Sequence, residues 1–370
     1  DEKYETIFII MNDNTELEYQ NYDRFLHCKE MSASPKSAYE ISNMEQSELK
    51  SGIQRIIFCR KNNTNLQNLL VACRFMKNRV IIDDEADYAS PNSKINKEQD
   101  PSKINFLVNK LIHDNSENGI YIGVTATPGR LDVNNTFLNK AKDWVFLEPH
   151  KRYKGKDFFF PSNEKKIIKY NPNYKLLKLP EYGDDPKLIR DAILRFLIRT
   201  AYINITEKNN ELISMSMLIH TSGRTNEDED DKKDVNKYLN ILSHENDSKK
   251  KIKLFAALDQ ICDKLFFSGE LDTKKTNKKK ILRFINKHKS KSKVLLINSK
   301  QHKQNVQMAC SPSALFTFAI GGNIVSRGLT FNNLLTFFFS RNVKGKLQQN
   351  TYIQRARMFG NRKNIEHFEL

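Results

Sequence analysis

Apolar positions along this chain fall into short continuous runs, separated by stretches in which they recur every three or four residues. TIFIIM, Thr6 to Met11, predicts a first strand, and Asn12 to Asn14 a turn. Thr15 follows as a helix N-cap with Glu18 three residues on, the spacing of a capping box. Arg55 to Lys61 predicts a second strand, then a helix through Leu66, Leu69, Leu70 and Cys73. A third strand covers Val80 to Asp83, and a helix from about Ser102 to His113 puts Ile104, Leu107, Val108 and Leu111 on one face. Ile120 to Val124 makes a fourth strand that runs into a turn at Pro128 and Gly129. In the second half, Lys187 to Ile205 predicts a helix striped by Ile189, Ile193, Phe196, Leu197 and Ala201. Further apolar runs cover Ser214 to Ser222, Lys293 to Ser299, Leu315 to Gly322 and Leu334 to Arg341. Continuous apolar strands alternating with amphipathic helices specify an α/β fold with parallel sheets.

A chain of 370 residues is comfortable for two domains. Periodicity fades between residues 143 and 185, where Pro149, Pro161, Pro172 and Pro180 punctuate the chain. The expected division is a first lobe over 1–165, a linker over 166–186 and a second lobe over 187–370. Within the second lobe, about 223–293 is a strongly charged helical insertion, with Leu239, Ile241, Leu254, Leu258, Ile261 and Leu265 between the charge blocks. A solvated face is the simpler reading of that segment; phosphate contact or a nuclear address is the sharper one.

Charge narrows the partner. The net charge is +17, from 61 basic and 44 acidic residues. That excess favours a polyanion such as nucleic acid, although a chain rich in Lys and Asn carries some of it by composition alone. Five scattered cysteines, with no CxxC pair, read as reduced thiols in a cytoplasmic compartment, or a nuclear one in a eukaryote. No apolar run approaches the roughly 18 residues of a membrane span, so no membrane partner is expected.

The densest chemistry follows the third strand. Asp84, Glu85 and Asp87 lie within four positions of one another. Open parallel sheets bind ligands at the carboxyl ends of their strands. There an Asp can hold Mg2+ through water, and a neighbouring Glu can orient or deprotonate an attacking water. Thr125 and Thr127, at the end of the fourth strand, can hydrogen-bond such an acidic loop and couple it to whatever packs above. Gly322, in a glycine pair after an apolar strand, permits close approach of a ligand to the backbone. Arg327 and Gly328 follow in SRGLTF. Gln354, Arg357 and Arg362 lie in QRARMFGNR, where arginines can neutralise a transferring phosphoryl group.

DEAD at Asp84 to Asp87, TAT at Thr125 to Thr127, SRGLTF at Ser326 to Phe331 and QRARMFGNR at Gln354 to Arg362 occur in that order. Together they resemble motifs two, three, five and six of the superfamily-two helicases. The match looks closer still to the endonuclease family built on the Z1 domain, whose members read similarly around IDDEADYAS, GVTATP, SMLIHTS and GGNIVSRGLTF. The resemblance implies two RecA-like lobes with ATP and Mg2+ between them, acting on nucleic acid, with DNA favoured. It implies Asp84 on Mg2+, Glu85 activating water, Asp87, Thr125 and Thr127 coupling the lobes, and Arg357 or Arg362 as an arginine finger. Gly322, Arg327, Gly328 and Gln354 would lie against nucleotide or nucleic acid. Nuclease or phage-defence subunits are implied partners. The chain departs from the pattern in lacking a GxxxxGK[ST] phosphate loop, which relatives carry just before a segment like TIFIIMNDNTELEYQ, so that loop is expected upstream of Asp1. Two other readings stand beside this one: a metal-dependent endonuclease using Asp83, Asp84, Glu85 and Asp87, and a helicase-like scaffold that binds nucleic acid and hydrolyses nothing.

Overall fold

A computed structural model describes residues 6–28, 33, 35–51, 53–91, 101–114, 119–126, 144–159, 186–207, 211–221, 225–243, 248–297, 303–322, 330–340, 357 and 359–370. The chain divides into two units, Asp1–Leu147 and Glu148–Leu370.

In chain order the first unit contains β1 (Thr6–Met11), α1 (Thr15–Leu26), β2 (Pro35–Ser37), α2 (Ala38–Ser42), α3 (Gln46–Leu49) and β3 (Arg55–Arg60). It continues with α4 (Asn63–Cys73), β4 (Arg79–Asp84), α5 (Lys103–His113) and β5 (Ile120–Val124). Its strands form a parallel sheet in the order β2-β3-β1-β4-β5. The alternation of side chains along each strand decides what goes where. Phe8, Ile10, Ile57, Cys59 and Ile81 enter one core with Leu66 and Leu69 of α4 and Val108 and Leu111 of α5. Ile7, Ile9, Met11, Ile56 and Phe58 point the other way, toward Leu17, Tyr22 and Phe25 of α1. The cap of α1 is Asn14 and not Thr15: Asn14 Oδ1 accepts from the Leu17 amide at 3.2 Å. Thr15 Oγ1 instead accepts from Arg60 at 2.8 Å. Among the described strands β5 pairs only with β4, and its Ile120, Ile122 and Val124 are between 40% and 46% exposed.

The second unit opens with α6 (Lys156–Phe159) and α7 (Pro186–Thr206), then β6 (Met215–His220), α8 (Thr225–Ser243), α9 (Ser248–Phe267) and α10 (Lys278–His288). β7 (Ser292–Ile297), α11 (Lys303–Cys310), β8 (Phe316–Gly321), β9 (Leu334–Phe339) and a final 3-10 turn at Ile365–His367 complete it. Its described strands run parallel in the order β7-β8-β6-β9. Both sheet faces are covered. Met217, Ile219, Phe316 and Phe318 pack against α7 and the charged helices, while Leu218, Ala319 and Phe337 pack against α11, Phe159 and Phe368. The charged segment is helical, as its pattern predicts. Its apolar stripes, among them Val235, Leu242, Leu258 and Ile285, belong to the main core of the unit. Most of its charges ride on the outer faces of helices the core cannot spare. Both units are thus the parallel α/β bodies expected of RecA-like lobes.

The chain's last residues are tied into this core by charge. Glu369 is fully buried; Arg195 Nε donates to its Oε1 at 2.5 Å and Arg199 Nε to its Oε2 at 3.3 Å. Glu270 takes the other edge of Arg195 at 3.0 Å and also pairs with Arg199. Burial alone would raise the Glu369 carboxyl, but Arg199 and Arg195 together hold it below the usual glutamate range. A depressed native value means stability that is present above about pH 4.5 and lost as pH falls through the native value. Glu369→Ala is expected to cost about 3–5 kcal/mol, because it leaves buried guanidinium charge behind. The check is the urea midpoint at pH 7 and at pH 4, with a smaller difference between wild type and variant at the lower pH; an equal difference at both contradicts the assignment.

Candidate active site

The parallel sheet of the first unit brings four strand ends to one edge: Asn12 after β1, Lys61 after β3, the Asp84–Glu85 step after β4 and Thr125 after β5. Register sets the roles of the adjacent aspartates. Successive residues on β4 face opposite sides, so Arg79, Ile81 and Asp83 are buried while Val80, Ile82 and Asp84 are half-buried. Asp83 is sealed in the interior. Its Oδ1 lies 2.7 Å from Lys61 Nζ, and its Oδ2 accepts from the Tyr121 hydroxyl at 2.8 Å. Burial, then the Asp83 charge, pushes the Tyr121 phenol well above its ordinary range, so it stays a donor.

Lys61 does more than neutralise Asp83. Its ammonium also donates to the carbonyls of Asp84 at 2.6 Å, Glu85 at 2.8 Å and Tyr88 at 3.2 Å. One buried cation therefore gathers the whole acidic turn. The turn needs such an anchor, because Glu85 adopts φ of 49°, a left-handed conformation that costs a β-substituted residue roughly 1–2 kcal/mol. The Glu85 amide donates to Asp84 Oδ1 at 3.0 Å, and the Tyr88 amide to the Glu85 carbonyl at 2.8 Å. The Ala86 amide joins the turn to β5 through the Val124 carbonyl at 2.9 Å.

The side chains of this turn are held from two neighbouring strands. Asn12 Nδ2 donates to Glu85 Oε2, which aims the Glu85 carboxylate. Thr125 Oγ1 donates to Asp87 Oδ1 at 2.6 Å. The Asp84 carboxyl is raised above its ordinary range by burial first and by the Glu85 carboxylate second. Asp84 and Glu85 are the carboxylates at this strand end that could hold a divalent cation. Thr127 lies outside the described residues.

In the second unit, Gly322 is buried directly after β8. Arg327, Gly328 and Gln354 lie outside the described residues. Arg357 takes a left-handed φ of 55°, and its carbonyl accepts from Arg362 Nη1 at 2.6 Å. The Arg362 guanidinium stacks on Phe368 at 5.2 Å. Burial, reinforced by the Arg357 charge, lowers its pKa to about 10. The structure thus groups Arg357 with Arg362 in one unit, and Asp84, Glu85, Asp87 and Thr125 in the other.

Residues 188–368 match the family model described as Z1 domain. The match spans just under half of the chain. Gly322, Arg357 and Arg362 fall within it, whereas the acidic turn lies before it. No curated protein matches the sequence. Among solved structures, Saccharomyces cerevisiae Dbp5 bound to RNA and ADP BeF3 aligns over 99% of this chain and 69% of its own, at 10% identity and a TM-score of 0.43. The Pyrococcus furiosus Hef helicase domain aligns over 99% and 85%, at 13% identity and a TM-score of 0.33. T4 UvsW aligns over 99% and 57%, at 11% identity and a TM-score of 0.25. Likeness at this level identifies neither ligand nor activity. Among the described residues no helix is long and apolar enough to cross a membrane.

Asn12, Lys61 and Tyr121 escape a reading by motif, since each belongs to a different strand from the carboxylate it holds. Lys61→Met strands a buried Asp83 charge and is expected to cost about 3–5 kcal/mol. Adding Asp83→Asn should restore most of that loss. Chemical denaturation of the two single variants and the double variant measures the coupling, and simple additivity would contradict a direct pair.

Proposed function

We propose that this chain is the motor portion of a nucleic-acid-dependent ATPase, a helicase- or translocase-like module of a DNA-processing enzyme. The observation that carries the reading is the acidic turn: Asp83 is buried on Lys61 while Asp84 stays half-buried and Glu85 is aimed by Asn12. A strand-end pair of this kind separates two tasks, holding a cation and handling a proton.

The donor set suits Mg2+, which takes one or two carboxylates together with water and phosphate oxygens. Asp84 would hold it, and Mg2+ when bound would neutralise charge on the β- and γ-phosphates of ATP. Glu85 would orient and deprotonate the attacking water, with Asn12 fixing its carboxylate. Thr125 on Asp87, with Thr127, would transmit the state of the turn. Arg357 or Arg362 would meet the charge that develops on the transferred phosphoryl group, and Gly322, Arg327, Gly328 and Gln354 would contact nucleotide or nucleic-acid backbone. Subunits of a nuclease or defence system are the partners this reading suggests. An independent nuclease centre is the weaker alternative, because one of its four carboxylates, Asp83, is engaged by Lys61 and Tyr121.

The test is ATP hydrolysis by the full-length protein with and without single-stranded nucleic acid. Glu85→Gln should lower kcat by about 10²–10⁴-fold with nucleotide binding retained, the span expected for loss of a positioned base. Arg357→Ala or Arg362→Ala should lower it by about 10³-fold or more, as for an arginine finger. Unaltered turnover in Glu85→Gln rejects the proposal, and metal-dependent strand cleavage without ATP would favour the nuclease instead.

A further inference from the structure

The chain's positive charge is concentrated. Residues 248–293 carry 15 Lys and Arg against four Asp and Glu, so roughly two thirds of the net +17 sits in an eighth of the chain. A lysine-rich composition spread evenly would not do this. The preceding helix α8 has the opposite character, with NEDEDDKKD in its first half. There Asp228 accepts from Thr221 Oγ1 at 2.5 Å and Asp231 from Ser340 Oγ at 2.6 Å, so part of that acid is turned toward the sheet.

The basic segment folds into α9 and α10, and a shallow, open groove of about 520 Å³ is lined by Phe255 of α9 and Lys278, Lys279, Leu282, Arg283 and Asn286 of α10. Their core stripes explain its composition. Leu254, Leu258 and Ile261 of α9 and Ile281 and Ile285 of α10 are buried. The residues beside those stripes, Phe255 and Leu282, are left half-covered as an apolar floor. Lys278 is spent on Asp259 and Asp263, at 3.1 and 2.9 Å. Lys279 and Arg283 are exposed on the rim. Lys289 reaches the groove's edge, where its Nζ donates to Asn286 Oδ1 at 2.8 Å, and Lys251 is near enough for its charge to act on Lys289.

We propose that this groove holds single-stranded nucleic acid, with Lys279, Arg283, Lys251 and Lys289 on phosphates and a base against Phe255 and Leu282. Cationic rims with an aromatic floor bind single strands through this combination. The inference rests on the motor reading only in naming where its strand is gripped; none of the residues lining the groove is one assigned to hydrolysis.

The experiment measures binding of fluorescein-labelled dT20 and U20 to the full-length protein from 50 to 300 mM NaCl, alongside ATP turnover. Lys279→Glu with Arg283→Glu should weaken binding at least tenfold and flatten the plot of log K against log salt by about 1.4, since each phosphate contact on a single strand contributes about 0.7. Phe255→Ala should weaken binding about fivefold or more without changing that slope. Tighter binding of dT20 or of U20 assigns the strand type. Basal ATP hydrolysis should be unchanged in these variants. Unchanged affinity and slope overturn the groove, and so does loss of binding to phosphatidylserine vesicles with oligonucleotide binding intact. If ATP is never hydrolysed but the binding losses appear, the motor reading fails and the groove stands.

Discussion

A single buried ammonium organises the first unit's chemistry. Lys61 meets the Asp83 carboxylate and three consecutive-turn carbonyls at once, within an interior from which water is excluded. A lone charge there would be prohibitively costly, and a pair is tolerated only when its remaining hydrogen-bonding capacity is filled. Both conditions are met: Lys61 uses its donors on carbonyls, and Asp83 receives the Tyr121 hydroxyl. Because the pair is intolerant of displacement, it fixes the path of the chain leaving β4. The left-handed Glu85 and the half-buried Asp84 follow from that fixed path.

The consequence is a division of labour within a run of like charges. Asp83 and Asp84 are chemically identical and adjacent, yet the pleat sends one inward to structure and the other outward to ligand. Neighbouring strands complete the arrangement: Asn12 of β1's end aims Glu85, and Thr125 of β5's end engages Asp87. Binding energy from a parallel sheet is thereby used to hold carboxylates close together, which isolated side chains would resist. The second unit solves a similar problem with opposite sign. Arg195 and Arg199 are held by Glu270 and Glu369, and Arg362 is lowered first by burial and second by the Arg357 charge.

Much of this is legible in the amino-acid sequence because it is periodic or local. Strands such as Thr6–Met11 and Ile120–Val124 coincide with their apolar runs, and the helix over Pro186–Thr206 follows its stripe to within a residue. Asp84 and Glu85 stand out because acid directly after an apolar strand is a local signal. Lys61 does not, since its partner Asp83 lies 22 residues on and only parallel register brings them together. The cap at Asn14 is hidden by Thr15, which is also a favoured cap type, if a weaker one than Asn, and is drawn off by Arg60. Short pieces such as Ala38–Ser42 and Lys303–Cys310 carry too few turns for a period to show. In the charged segment, the density of Lys and Asp masks apolar stripes that the core requires.

The account stands on Lys61 fixing the acidic turn, and amide hydrogen exchange tests that link directly. In a Lys61→Met, Asp83→Asn protein that stays folded, the amides of Ala86, Tyr88 and Ser90 should exchange at least about tenfold faster than in wild type, while β1 and β3 keep their protection. Equal protection of the turn in both proteins would contradict the claim that this ammonium holds it.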